Sequence, residues 1–446
     1  MKIEREKTAD HPEGLSRRGF ISGSFAALAG VGLTETGLFG QESALNSTGA
    51  KIKEYRTLGR TGFKCSDIGF GSSGVTDPAF IEAVLDTGIN YIDSSETYVR
   101  GQVEKAIGDA VKKRDRKKVF ISTKLPLRKD VTKENIIERA NKCLERLQMD
   151  YIDCLMIHMP STVETLKNEA FHAAIQDLKT EGKVRFCGLS NHGSQWGDVP
   201  ETMEHVHLAA AEDGRFDVAL FVYNFLQRGM GENILKAYKK KNVGATLMKT
   251  NPVLNYLEMK ERADQTEKEG RDIPPRMKAL VERLKARADQ AESFKNTYNL
   301  TNFNEVREAA IKFVLNNPNV SSVCPTILNY NELEAYVSLS GKKFDLKARN
   351  TLAAYGTTFG EFYCRHACGA CEPQCPHGVP VNTIMRYNHY FAGQRREKAA
   401  MLKYASLPTT RANVCSSCDG HCEQFCPYGV PVQGLLMLAH QTLTLA

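Results

Sequence analysis

Cysteine spacing is the first chemical signal in this chain of 446 residues. Of its 13 cysteines, eight fall in two runs, CRHACGACEPQCPHGVP over 364–380 and CSSCDGHCEQFCPYGVP over 415–431. Cys364, Cys368, Cys371 and Cys375 are separated by three, two and three residues, and Cys415, Cys418, Cys422 and Cys426 by two, three and three. Both runs end Cys-Pro, then His or Tyr, then Gly-Val-Pro-Val, so they form an internal repeat offset by 51 residues. Thiolates grouped this tightly, with the last one before a proline, suit a cubane iron–sulfur cluster better than a paired zinc knuckle. The expectation is two 4Fe-4S clusters. Zinc remains the second reading, since it accepts four thiolates. Disulfides would suit an exported chain, but cysteines two and three apart cannot all pair without strain. The other five, Cys65, Cys143, Cys154, Cys187 and Cys324, are scattered through the apolar body and read as small core residues.

A second set of reactive side chains lies upstream. Asp93 and His158 each end a candidate strand, Lys124 directly follows another, and Tyr98 lies in the loop after Asp93. Singly, each is a polar group at a strand end. Their joint convergence depends on the elements that carry them. Short apolar runs at 68–71, 91–94, 119–123, 151–158, 184–190, 218–223, 245–248 and 320–324 alternate with helical patterns. Eight parallel strands of that kind close into a (β/α)8 TIM barrel, whose active residues sit at the C-terminal strand ends. The stretch TKENIIERANKCLERLQ places Ile136, Ile137, Ala140, Cys143, Leu144 and Leu147 on one helical face. Before the first strand, YRTLGRTGFKCS reads as a hairpin closing the barrel bottom, with Gly59 and Gly62 in its turns. Between the last two strands, residues 254–302 are too long and too charged for an ordinary connection. They read as solvated outer helices or as a lid.

The segments YRTLGRTGFKCSDIGFG, INYIDSSETYVRGQVEKAIGDA, VFISTK, CLERLQMDYIDCLMIH and GKVRFCGLSNH resemble, in order and spacing, the signature segments of the aldo-keto reductase family. The resemblance covers most of 55–340 and places the family's catalytic tetrad on Asp93, Tyr98, Lys124 and His158. It implies hydride transfer between a nicotinamide cofactor, NADP or NAD, and a small carbonyl or alcohol substrate, sugars included. In that scheme Tyr98 is the acid, Lys124 lowers its pKa, Asp93 keeps the lysine charged, and His158 orients the carbonyl. Ser190 and Asn191 match the family's carboxamide-binding pair, Met248 stands at the nicotinamide face, and Lys249 follows it near the pyrophosphate. Leu220, Thr326 and Tyr336 depart from the family's usual glutamine, glycine and asparagine, and Asn329 stands where a 2′-phosphate contact is often found.

The cysteine runs are close to the bacterial ferredoxin run, with one extra residue in each. If that analogy extends to ligand exchange, one cluster takes Cys364, Cys368, Cys371 and Cys426, and the other takes Cys375, Cys415, Cys418 and Cys422. Otherwise each run closes its own cluster. Barrels of this family with such an extension form a recognisable subgroup.

Ser16, Arg17 and Arg18 open SRRGFI, a twin-arginine pattern followed by an uncharged stretch over 21–33. Its 13 residues fall short of the roughly 20 a membrane-spanning helix needs. The leader therefore predicts export after folding, to the periplasm or cell envelope, with no stable membrane span. A folded-state export route reconciles clusters assembled in reducing cytoplasm with an exported chain. The expected organisation is a leader and linker over 1–45, the barrel over 51–345 and an α-helical ferredoxin-like iron–sulfur domain over 346–446. A net charge of +7, spread along the chain and partly in the leader, gives no support to nucleic-acid binding. Two functions follow: a nicotinamide-dependent oxidoreductase with appended clusters, or an exported non-catalytic electron-transfer or interaction protein whose barrel has drifted. Either admits an electron-transfer partner.

Overall fold

The computed structural model describes residues 49–194, 201–253, 275–394 and 396–444. They belong to one compact unit spanning 44–446. The twin-arginine leader lies outside the described residues.

Two short strands open the described chain. β1 (Tyr55–Thr57) pairs antiparallel with β2 (Lys64–Ser66), as the hairpin reading predicts. Arg60 N–H donates to Asn242 O at 2.7 Å, which fastens the turn beneath a later strand. The remaining strands are β3 (Phe70–Gly71), β4 (Tyr91–Asp93), β5 (Phe120–Leu125), β6 (Ile152–His158), β7 (Val184–Asn191), β8 (Val218–Val222), β9 (Gly244–Met248) and β10 (Ser322–Val323). They form one parallel sheet in sequence order. Gly69 N–H donates to Val323 O at 2.7 Å and Gly71 N–H to Pro325 O at 2.8 Å, bringing the last strand back to the first. The eight expected strands are all present. β5 runs further than expected, so Lys124 lies within the strand, in register with Met156.

Strands β4, β5 and β6 are buried along their whole length, which is why they read as continuous apolar runs. Inside the barrel, Tyr91, Phe120, Cys154, Met156, Val218, Leu220 and Cys324 form a packed cluster. Outside it, helices cover the sheet; Lys133–Leu147 buries Ile136, Ala140, Cys143, Leu144 and Leu147 and is capped by Thr132, whose hydroxyl accepts from Asn135 N–H. Ile137 is half-buried at the edge of that face. All five scattered cysteines are buried, and burial pushes the Cys65 and Cys187 thiols up to about 12. They are inert core residues, as expected.

A second core lies among the helices beyond β9. Helix Pro275–Thr297 contributes Leu280, Val281, Leu284 and Phe294 to it, together with Tyr355, Phe359, Ile384 and Leu435. The Phe294 ring meets Phe359 edge-on at 5.3 Å. Residues 254–274 lie outside the described residues. Over 275–302 the charged insertion carries a helix with one exposed face, as the outer-helix reading expects, and its other face is a wall of the C-terminal helical region. Periodicity alone hid this, because its apolar partners lie beyond residue 350. Among the described residues no helix is long and apolar enough to cross a membrane.

Candidate active site

Asp93, Lys124 and His158 come from three adjacent strands, β4, β5 and β6, near their C-terminal ends. Lys124 Nζ donates to Asp93 Oδ2 at 2.6 Å and also to the Ser94 carbonyl. The other carboxylate oxygen of Asp93 accepts from Ser122 Oγ at 3.0 Å. Burial is the largest single influence and opposes the lysine's charge, but Asp93, Tyr98 and Cys324 together outweigh it, and Lys124 is held above its ordinary value. The ammonium is therefore a fixed, buried positive charge.

Tyr98 lies over that charge. Its ring centre is 5.1 Å from Lys124 Nζ and 6.1 Å from the His158 ring, which it meets edge-on. Burial pushes the Tyr98 phenol up to about 12, with Lys124 pulling the other way. This corrects the expectation of a lowered tyrosine: the lysine acts in the expected direction, but desolvation is the larger effect. The phenol is a proton carrier throughout the neutral range.

His158 is neutral for the same reason. Burial, then the charges of Lys124, Lys403 and Arg386, hold its imidazole well below the usual value. Ser95 Oγ lies 3.1 Å from His158 Nδ1. The same Oγ lies 3.2 Å from the Lys124 carbonyl, to which it donates; only when its single proton turns to Nδ1 does the imidazole keep its own proton on Nε2, the form that can hydrogen-bond a carbonyl oxygen.

The loops that carry these groups are strained. Val99 and Arg100, directly after Tyr98, have φ of 46° and 54°, and Met159, directly after His158, has φ of 59°. Beneath Tyr98, Gly101 has φ 84°, and a Cβ there would stand 2.6 Å from Arg146 Cδ. Only glycine lets Arg146 pass to its buried partner Glu104. That ion pair fixes the base of the Tyr98 loop.

The residues expected around a nicotinamide ring also reach the barrel mouth. Ser190 is in register with His158 on the neighbouring strand, and its buried Oγ has no partner among the described residues. Asn191 Oδ1 accepts from Gly193 N–H at 2.9 Å, which fixes the loop after β7. Met248, half-buried, ends β9, and Lys249 follows it with φ 50°. A free buried hydroxyl beside an amide side chain fits a carboxamide, so these residues suit the dinucleotide. Leu220 belongs to the barrel's inner core. Asn329 caps helix Tyr330–Val337, its side chain accepting from Glu332 N–H at 2.9 Å. Thr326 bridges to Gly71 across the barrel seam.

The C-terminal helical region packs onto the same mouth, which sequence reasoning missed. Asn224, after β8, donates to the Tyr363 hydroxyl at 2.9 Å, and Gln227 donates to His366 O at 2.7 Å. Around the two cysteine runs, Cys364 is within electrostatic range of Cys371, Cys368 and Cys426. Cys415 is within range of Cys422, Cys375 and Cys418. Cys371 is within range of Cys422 as well as of Cys426 and Cys368, so the two runs lie against each other. Val379 N–H donates to Cys375 Sγ at 3.4 Å. Among the described residues no three His, Cys, Asp or Glu side chains converge on a single-ion site. Cluster ligands stand further apart than ligands of one ion, since each thiolate binds a different iron. Thiols are the donor type that such clusters take.

A family model described as the aldo/keto reductase family matches residues 72–354, ending before the first cysteine run. The aldo-keto reductase YhdN of Bacillus subtilis is 30% identical over 216 residues, 44% of this chain and 61% of YhdN. An uncharacterized oxidoreductase of the same organism, YqkF, is matched over 48% of its length, so the chain spans under two thirds of these relatives. The L-galactose dehydrogenase of Arabidopsis thaliana is 27% identical over 270 residues, 56% of this chain and 81% of that enzyme. The holo form of aldo-keto reductase AKR11C1 from Bacillus halodurans superposes with a TM-score of 0.49 at 20% identity, covering 68% of this chain and 95% of that one.

Proposed function

The chain belongs to the aldo/keto reductase family, and from that premise we propose that it interconverts a carbonyl and an alcohol with a nicotinamide cofactor, NADP or NAD, at Tyr98. Lys124 supports this reading most strongly: its ammonium is held 2.6 Å from Asp93 and 5.1 Å from the Tyr98 ring centre. The bound cofactor supplies the hydride for reduction and receives it in oxidation. As that hydride forms the new C–H bond, Tyr98 gives its phenolic proton to the oxygen, and C=O becomes CH–OH. Lys124 stabilises the phenolate left behind, and Asp93 keeps Lys124 charged. Neutral His158 donates to the substrate oxygen and fixes its approach. Ser190 and Asn191 hold the carboxamide, with Met248 and Lys249 beside the cofactor. The names of relatives, an L-galactose dehydrogenase and an NADH-specific methylglyoxal reductase, suggest a small aldehyde, ketone or sugar.

In the same reading the C-terminal region carries two 4Fe-4S clusters, one on Cys364, Cys368, Cys371 and Cys426 and one on Cys375, Cys415, Cys418 and Cys422. The leader over 16–33 directs the folded, loaded protein to the periplasm or cell envelope. The ordered tetrad favours an enzyme over a carrier with a drifted barrel.

The test is an assay of anaerobically purified full-length protein against aldehydes, ketones and sugars, followed at the nicotinamide absorbance. Turnover with at least one class is expected. Absence of turnover, joined to absence of dinucleotide binding by fluorescence, would remove the enzyme reading and leave the carrier.

A further inference from the structure

The barrel mouth gathers basic side chains that pair with no Asp or Glu among the described residues, and burial, then the charge of Arg386, pushes the Lys249 ammonium well below its usual value. Lys249 holds its Nζ 3.4 Å from His192 Nδ1, 3.3 Å from His366 Nδ1 and 5.3 Å from the centre of the Tyr390 ring. Arg386, only 2% exposed, reaches in from helix Val381–Ala392. Its Nη2 donates to Ser194 O at 2.6 Å and its Nη1 to His192 O at 3.4 Å. Gly193 makes that approach feasible, since a Cβ there would stand 2.7 Å from Arg386 Nη1. Both acceptors are neutral carbonyls, and the buried Nε has no partner among the described residues. Arg396 adds a further charge, donating to Ser73 Oγ at 2.8 Å in the loop after β3. Among the described residues none of Lys249, Arg386 and Arg396 forms an ion pair with Asp or Glu, and Asp93 is committed to Lys124.

Among the described residues the Arg386 guanidinium is held out of water by neutral groups, a costly arrangement that an anion would offset. The cluster adjoins the reacting groups: Tyr390 acts electrostatically on Tyr98, and Arg386 on His158. Tyr98, Met248, Lys249 and Tyr390 remain half-buried, whereas Asp93, Lys124 and His158 are buried. Tyr98, Lys249 and Tyr390 therefore keep accessible surface, while Arg386 is buried. The repeat itself does not require Arg386 or Tyr390. At the 51-residue offset, Arg386 corresponds to Met437 and Tyr390 to Gln441.

We propose that Arg386 and Lys249 form an anion subsite beside Tyr98 and His158, which selects carbonyl or hydroxy substrates bearing a carboxylate or phosphate. The substrate assignment rests on the oxidoreductase reading; the subsite can be read without it.

The experiment compares 4-formylbenzoate with 4-nitrobenzaldehyde, using the full-length cluster-loaded protein. The expected kcat/KM is higher for the carboxylate by ~10-fold or more, the size of one charge-assisted contact. Benzoate and inorganic phosphate should compete with the aldehyde in the wild-type protein, an arm that needs no variant to fold. Arg386→Gln should collapse the preference to about one, and Arg386→Lys should restore part of it. Calorimetric titration with 4-formylbenzoate reads the subsite without turnover: binding lost in Arg386→Gln supports it even if no aldehyde is reduced. Equal or weaker wild-type binding of the carboxylate, with no competition by benzoate or phosphate, would overturn the proposal. So would an Arg386→Gln variant that keeps the preference but binds NADPH more weakly, since the anion would then be the dinucleotide's own pyrophosphate.

Discussion

In the first cysteine repeat, Glu372 Oε1 receives the backbone N–H of Asn382 at 2.6 Å; 51 residues on, Glu423 Oε1 receives that of Gln433 at 2.9 Å. Each bond caps the start of a 12-residue helix, Val381–Ala392 or Val432–Leu443, that follows a Gly-Val-Pro turn. Asn382 Nδ2 returns to Arg365 O at 3.1 Å, and Gln433 Nε2 to Cys415 O at 2.6 Å, so each helix start is tied back to its own cysteine run. From there the repeats diverge. The second helix buries Leu435, Leu436, Met437 and Leu438 in the C-terminal core. The first sends Arg386 to the loop after β7 and Tyr390 to Lys249. Caps and thiols define the repeat, while the outward face is free to specialise. In the first copy it has become part of the barrel mouth.

The largest effect should come from the thiols that we propose the repeats exchange. Cys375→Ser combined with Cys415→Ser touches one quartet, so about four iron atoms per chain should remain. Cys375→Ser combined with Cys364→Ser touches both quartets and should remove nearly all iron and much of the fold. Iron analysis with electron paramagnetic resonance decides. The opposite ranking would mean that each run closes its own cluster.

A smaller effect concerns protons in the barrel. Burial holds His207 down to about 3, and holds His158 and His192 well below the usual value. The unfolded chain, with histidines near 6.5, binds more protons than the folded one as pH falls below that value. Stability should therefore drop on acidification from about pH 6.5 towards 3, with Tm lower by roughly 5–10 °C at pH 5 than at pH 7.5. Above pH 6.5, in contrast, carbonyl reduction should be flat up to about pH 9, because Tyr98 at about 12 and neutral His158 do not titrate there. A steep rise or fall between pH 7 and 9 would show that another group carries the proton.

The smallest effect separates the two caps. Glu372 is buried and Glu423 half-buried, so Glu372→Ala should cost about 1–2 kcal/mol and Glu423→Ala about 0.5–1 kcal/mol in denaturant unfolding. Equal costs would mean that the caps are interchangeable despite their surroundings.

Much of the barrel was legible because its physics is local. A strand buried on both faces is an apolar run, and a polar residue where such a run stops marks the mouth; Asp93 and His158 were found this way. Ser95 and Ser122 were not, because a serine in a strand or turn carries no signal until its partner is placed. Arg386 and Tyr390 were hidden by distance, since the loop that receives Arg386 lies nearly two hundred residues upstream. Setting the repeats side by side gives the missing clue: the copies agree at their caps and differ at Arg386 against Met437. The rise in the Tyr98 pKa was equally out of reach, because spacing reveals neighbours but not desolvation.

Tyr98 is the residue whose removal is most telling. Single-turnover reduction of an accepted aldehyde by cluster-loaded Tyr98→Phe, followed at the nicotinamide absorbance, should fall by roughly 100-fold to 10,000-fold, with dinucleotide affinity within about threefold of the parent. Unchanged turnover in that variant would contradict the assignment of Tyr98 as the proton donor and the site built around it.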